Sequence, residues 1–169
     1  MPEILYAARG FLTVRRSPLR VPLRGSLTLQ HDPGSGRFTG NLVLDPSTAT
    51  RSFLGVRLVS STVQITAGSP VTGRIGADGA IIATVTVQAV ITAARVAGWT
   101  LISGGSCRTR THATVPLRSG PAFPLEQGGQ LTGRYDRPPF TGCGWVTPLV
   151  NLLISGPGNT VVIDLRPAP

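Results

Sequence analysis

Between Ala80 and Thr92 the apolar residues Ile81, Ala83, Val85, Val87, Ala89 and Ile91 fall on odd positions, while Thr84, Thr86, Gln88 and Thr92 fall on even ones. Side chains of a strand alternate between its two faces, so a period of two marks a strand with one face on a core and one face in water. A membrane helix over 80–102 is excluded, because Arg95 interrupts the run and a lipid-facing helix has no reason to alternate Thr with Val. The same alternation recurs along most of the chain, which therefore reads as all-β.

The pattern divides into elements. In the segment from 11 to 24, Leu19, Val21 and Leu23 face one way and Arg20, Pro22 and Arg24 the other. Pro22 cannot donate to a ladder, which predicts an edge strand, and its arginines would discourage pairing with another edge. Leu27 and Leu29 lead into the turn chemistry of His31-Asp32-Pro33-Gly34-Ser35-Gly36, with an exposed imidazole expected at the tip. Phe38, Gly40, Leu42 and Leu44 share the returning face. The strand over 53–66 changes phase between Leu58 and Val63, which predicts a bulge near 59–61. Gly76-Ala77-Asp78-Gly79 joins 71–75 to the strand that starts at 80. Further strands are expected at 97–102, 109–115, 130–135 and 159–166, with a long loop over 116–129. Thr147 as N-cap, Pro148 in the first turn and Gly156-Pro157 as a stop predict one short helix at about 148–155. It is apolar on nearly all sides, as a plug in one end of the β structure would be.

Roughly nine strands and one helix fit a single-domain antiparallel β-sandwich or closed β-barrel. The domain is expected to span 1–169, with 1–24 as an N-terminal arm or edge strand. A chain of 169 residues can bury a core without staples.

All sixteen basic residues are arginine, against seven carboxylates, giving a net charge of +9. A GC-rich genome produces such arginine-only basicity without selection. The alternative is an anionic partner, since arginine binds phosphate and carboxylate bidentately. The arginines are scattered, the densest group being Arg15, Arg16, Arg20 and Arg24, and aromatic residues are only 5% of the chain. Both facts argue against a nucleic-acid stripe or stacking platform. Trp99 and Trp145 could flank an apolar pocket, although two tryptophans also serve as ordinary core or rim residues.

Cys107 and Cys143 are the only cysteines. The simplest reading is one disulfide, worth about 4 kcal/mol for a loop of this length and pointing to an oxidising compartment; the other is two buried free thiols. If 107–115 is one strand, parity puts Cys107 with Thr109, Thr111, Ala113 and Val115 on one face and His112 with Arg110 and Thr114 on the other, so a zinc site or a Cys-His nucleophile is not expected. Ser103-Gly104-Gly105-Ser106 lacks the strand–elbow–helix setting of a hydrolase serine. Gly156-Pro157-Gly158 follows a helix and enters a strand, the reverse of a phosphate loop. No catalytic set, metal or cofactor is predicted.

The run Phe140-Thr141-Gly142-Cys143-Gly144, then Thr147-Pro148-Leu149, Asn151, Ile154 and Gly156-Pro157-Gly158-Asn159-Thr160, resembles the C-terminal signature of uncharacterised secreted β-rich proteins of actinobacteria. The likeness covers about a third of the chain and includes an upstream cysteine like Cys107. It implies export and a disulfide but no particular activity. Met1-Pro2-Glu3 is followed by no signal-peptide pattern, which leaves a cytoplasmic setting as the alternative. The expectation is a non-catalytic extracytoplasmic binding domain for an anionic or apolar envelope ligand (lipid or glycan) or a protein partner, with Arg15, Arg16, Arg20, Arg24, Trp99 and Trp145 as its surface. A self-assembling coat, filament or decoration subunit is the first alternative; a lipocalin-like carrier and a small hydrolase are the others.

Overall fold

The computed structural model describes residues 2–16, 20–53 and 56–169. Among them, twelve strands join in one antiparallel hydrogen-bonded sheet: β1 (Glu3–Thr13), β2 (Arg20–Asp32), β3 (Arg37–Leu44), β4 (Ser47–Phe53), β5 (Val56–Ala67), β6 (Val71–Ile75), β7 (Ile81–Val96), β8 (Trp99–Thr109), β9 (Ala113–Arg118), β10 (Gly129–Arg137), β11 (Phe140–Thr141) and β12 (Gly156–Pro167). A 3-10 turn at Gly144–Val146 runs into α1 (Thr147–Ile154).

Eight strands close a barrel in the order β7, β6, β3, β2, β1, β12, β10, β9 and back to β7. The choice between sandwich and barrel is thus settled by β7. Its first residues pair with β6 on one side, from Ile75↔Ile81 to Thr72↔Thr84, and with β9 on the other, from Ile82↔Arg118 to Val87↔Ala113. From Val87 onward it pairs with β5 and β8 instead, ending at Val59↔Val96 and Val96↔Trp99. At 16 residues it spans roughly 50 Å, enough to serve the ring and then an extension of the sheet beyond it. That extension carries β4 outside β5 and β11 outside β8.

The alternation read from the sequence maps onto the ring. Ile81, Ala83 and Val85 are buried with Leu27, Leu29, Phe38, Leu131, Ile163 and Leu165, while Thr84, Thr39, Arg74, Thr132 and Arg166 point outward and are exposed. Polar outside and apolar inside is the reverse of a lipid-facing barrel. No helix among the described residues is long and apolar enough to cross a membrane. At Gly10 β1 and β12 approach so closely that a Cβ would overlap the Val162 carbonyl.

Residues 119–128 seal the end of the barrel where β7 begins. This loop is tied beneath the 76–79 turn by Ala122 N–H to Asp78 O (2.9 Å) and Phe123 N–H to Gly79 O (3.0 Å). The Tyr6 hydroxyl donates to Leu125 O from a fully buried ring. Only about 20 Å³ is left unfilled among Tyr6, Phe38, Phe123 and their neighbours, room for about one water at most.

Several expectations are corrected. Residues 3–13 are neither arm nor edge: β1 is paired along its length with β2, and from Tyr6 onward with β12 as well. An edge character survives only at Arg20–Arg24, where β3 has already ended at Gly25↔Leu44, and there the Ser47 hydroxyl donates to the carbonyl of Pro22. Leu19 lies outside the described residues, as do residues 54 and 55 and the side chains of Val56 and Leu58. The bulge in β5 falls at Leu58, skipped between Ser52↔Arg57 and Arg51↔Val59. The predicted 116–129 loop begins later, because Pro116 pairs with Thr84 inside β9. His31 is not an exposed tip residue. It pairs with Phe38, is half-buried, and its Nε2 has no hydrogen-bond partner among the described residues. Asp32 does form the expected turn, and the Ser35 hydroxyl and Gly34 amide hold its carboxyl below the ordinary value.

Candidate functional site

At the other end of the barrel, no loop among the described residues fills the interior. A cavity of about 210 Å³ lies among Val14 and Val21 from the β1–β2 ends, Val63 and Ile65 of β5, Ile91 and Ala94 of β7, Ile102 of β8, Phe140, and the inner face of α1. Its lining also includes Val96, Leu149 and Leu153, which are 38%, 47% and 44% exposed, so the space reaches the surface. Among the described residues, all the lining is apolar except Ser61 and Arg137.

The helix covers this cavity without plugging it. No residue of α1 is fully buried: Val150 and Ile154 pack against the core, while Leu149, Leu152 and Leu153 are exposed. The expected core plug is therefore a cover, and the seal of the barrel is the 119–128 loop at the opposite end.

Most of the C-terminal motif serves to fix this cover. Cys143, just before the 3-10 turn, is disulfide-bonded to Cys107 of β8, and both are buried. Thr147 Oγ1 accepts from Cys143 N–H (3.2 Å) and donates to Gly144 O (2.8 Å), which starts the helix although Val146 is its N-cap. The Asn151 side chain accepts from Phe140 N–H (2.6 Å) and donates to Phe140 O (3.2 Å). Ser155 Oγ lies within 3.0 Å of Asn151 Oδ1 and 3.3 Å of Pro138 O. Asn159, buried in β12, accepts from Arg15 N–H (3.1 Å) and donates to Gly156 O (3.0 Å).

The arginines expected to form one surface are split. Arg15 and Arg16 lie over Gly158 and Gly156, where a Cβ would meet their side chains. Arg16 Nη1 approaches Asn151 O (3.4 Å) at the C-terminal end of α1, where a cation is favoured by the helix dipole. Arg20 stacks over the Phe11 ring at 4.7 Å, and with Arg24 it borders an outer groove that also holds Asp45 and Asp164. Trp99 and Trp145 are 76% and 80% exposed and belong neither to the core nor to the cavity lining; their neighbours Val96 and Val146 line it instead. His112 is exposed, with its ring over Gly68, and no cluster of three His, Cys, Asp or Glu side chains is placed to hold a metal among the described residues.

One residue at the cavity escaped the sequence reading. Arg137, 8% exposed, ends β10 with its guanidinium donating from Nη2 to the Tyr135 hydroxyl (2.7 Å) and lying 5.8 Å from that ring's centroid. Burial raises the Tyr135 pKa, against the smaller opposing influence of Arg137's charge and hydrogen bond. The sequence carries the signal: continuing the inward parity of Leu131 and Tyr135 by two residues reaches Arg137, just beyond the strand expected at 130–135.

The chain matches no protein-family model, no curated protein and no solved structure.

Proposed function

We propose that the protein is a non-catalytic binding domain of an oxidising, extracytoplasmic setting, and that it takes an apolar ligand into the open end of its barrel. The observation carrying this reading is the contrast between the two ends. One is packed to about 20 Å³ of residual space, whereas the other keeps about 210 Å³ behind a helix with no fully buried residue. Interiors ordinarily leave few voids larger than a water, and an apolar cavity of roughly 150 Å³ already accepts benzene. The Cys107–Cys143 disulfide supports the compartment. The resemblance to secreted actinobacterial proteins points the same way.

The test is titration with the neutral fluorophore N-phenyl-1-naphthylamine. One saturable site per chain is expected, and it should be lost when Ala94, on the cavity wall, is enlarged in Ala94→Phe. Absence of a saturable site, or binding indifferent to Ala94→Phe in a folded variant, would refute the reading.

A second reading is favoured by the exposure of Trp99, Trp145 and Leu152, at 76%, 80% and 66%. Exposed aromatic and aliphatic side chains of this size suit a protein partner or a second copy of the chain. Sedimentation across a hundredfold concentration range would then show self-association; a monomer throughout excludes the second copy.

A further inference from the structure

Within the proposed binding reading, we infer that Arg137 is the anchor for the carboxylate of a single-chain amphiphile whose hydrocarbon tail occupies the open-end cavity. The inference starts from a charge in the wrong place. A guanidinium does not give up its proton, and burying one without a counter-charge is costly. Arg137 is nevertheless among the few buried polar or charged residues described, on the wall of a cavity whose other described lining is hydrocarbon and Ser61. No carboxylate lines that cavity among the described residues. The partner it does have, the Tyr135 hydroxyl at 2.7 Å, is a neutral phenol. It brings no negative charge.

Strand geometry aims the side chain inward. Leu131, Tyr135 and Arg137 are the buried positions of β10, and Asp136 between the last two turns outward, where its Oδ1 accepts from Gly158 N–H (3.3 Å). The nearest carboxylate in sequence is thus on the opposite face from the guanidinium.

The chemistry of the occupant follows from the wall. A guanidinium presents five donors in a planar fork, which two carboxylate oxygens match in a bidentate pair. Arg137 is the only cationic side chain in the lining among the described residues, so a monoanion balances the site and a phosphate dianion overcharges it. The space of about 210 Å³ exceeds the roughly 150 Å³ that accommodates benzene, with its six carbons. A carboxylate with a chain of about eight carbons fits, and longer chains would emerge beside the exposed Leu149 and Leu153.

Displacement of N-phenyl-1-naphthylamine by octanoate, octanol and octyl phosphate, in the wild type and in Arg137→Met, tests this. Octanoate is expected to displace the fluorophore at least about tenfold more tightly than octanol in the wild type, as a charge-assisted pair requires. In Arg137→Met, which keeps the side-chain bulk, the two should become equal while fluorophore binding persists. The unliganded Arg137→Met protein should be at least as heat-stable as the wild type, because it loses an uncompensated buried charge. If Arg137→Met fails to fold, the role of the guanidinium as a dispensable anchor is refuted. Equal affinity for octanoate and octanol in the wild type overturns the inference, as does a preference that survives in Arg137→Met. Tighter binding of octyl phosphate overturns the carboxylate assignment. Failure of the fluorophore to bind at all would instead refute the underlying cavity reading.

Discussion

The side-chain amide of Asn151 satisfies both main-chain groups of Phe140, accepting from its N–H at 2.6 Å and donating to its C=O at 3.2 Å. Asn151 lies in α1 and Phe140 in β11, so one side chain completes a strand's hydrogen bonds from a helix. Asn151→Ala leaves two main-chain groups unpaired and should cost about 1–3 kcal/mol. Hydrogen exchange should accelerate across 140–154, while the amides of residues 81–87 keep their protection.

The disulfide supplies the second tie on the same cover. Cys107 and Cys143 are separated by 36 residues, and for such a loop the chain-entropy relation gives about 4 kcal/mol. Reduction, or the double substitution Cys107→Ser with Cys143→Ser, should lower the midpoint of thermal unfolding by several degrees or more. An unchanged midpoint after reduction confirmed by mass would show that the bond constrains nothing.

Both tyrosines of the chain are buried, and burial raises the pKa of each above the ordinary value of 10.0. A phenol whose folded pKa exceeds its unfolded one stabilises the fold fully below the unfolded value, and that stability is lost as pH rises above about 10. Absorbance at 295 nm should therefore show no tyrosinate in the folded protein where free tyrosine ionises. Unfolding midpoints should decline above that pH, less steeply in Tyr135→Phe.

At Gly10 any side chain would overlap the Val162 carbonyl across the β1–β12 pairing. Gly10→Val should destabilise by about 1–3 kcal/mol or more, as overpacking does. Val43 is an exposed residue on β3 and serves as the control. Val43→Thr should leave stability within about 0.5 kcal/mol, as surface substitutions usually do.

What was legible in the sequence was the local periodicity and the turn chemistry. The odd-position residues of β7 from Ile81 to Ile91 face inward, Val21 and Leu23 are buried between exposed Arg20, Pro22 and Arg24, and the Asp32 and Gly79 turns join the strands predicted. Cys107 and Cys143 form the bond that the pair suggested. These follow from neighbours a few residues apart, where a period of two has one structural meaning.

The rest was decided at long range. Nothing between residues 80 and 96 tells that β7 changes partners midway, from β6 and β9 to β5 and β8, and that exchange turns a sheet into a barrel with an extension. The same apolar composition in α1 is compatible with a plug or a cover; its exposed Leu149, Leu152 and Leu153 follow from the 119–128 loop filling the other end and from the ties at Cys143 and Asn151. The parity of β10 puts Arg137 on the inward face, but nothing local tells that this face meets a cavity there. The sequence determines which face of each strand is apolar, because alternation is a property of the backbone. Only the tertiary structure determines which inward position meets packed side chains and which meets open space, because that depends on strands distant in the chain arriving at the same place.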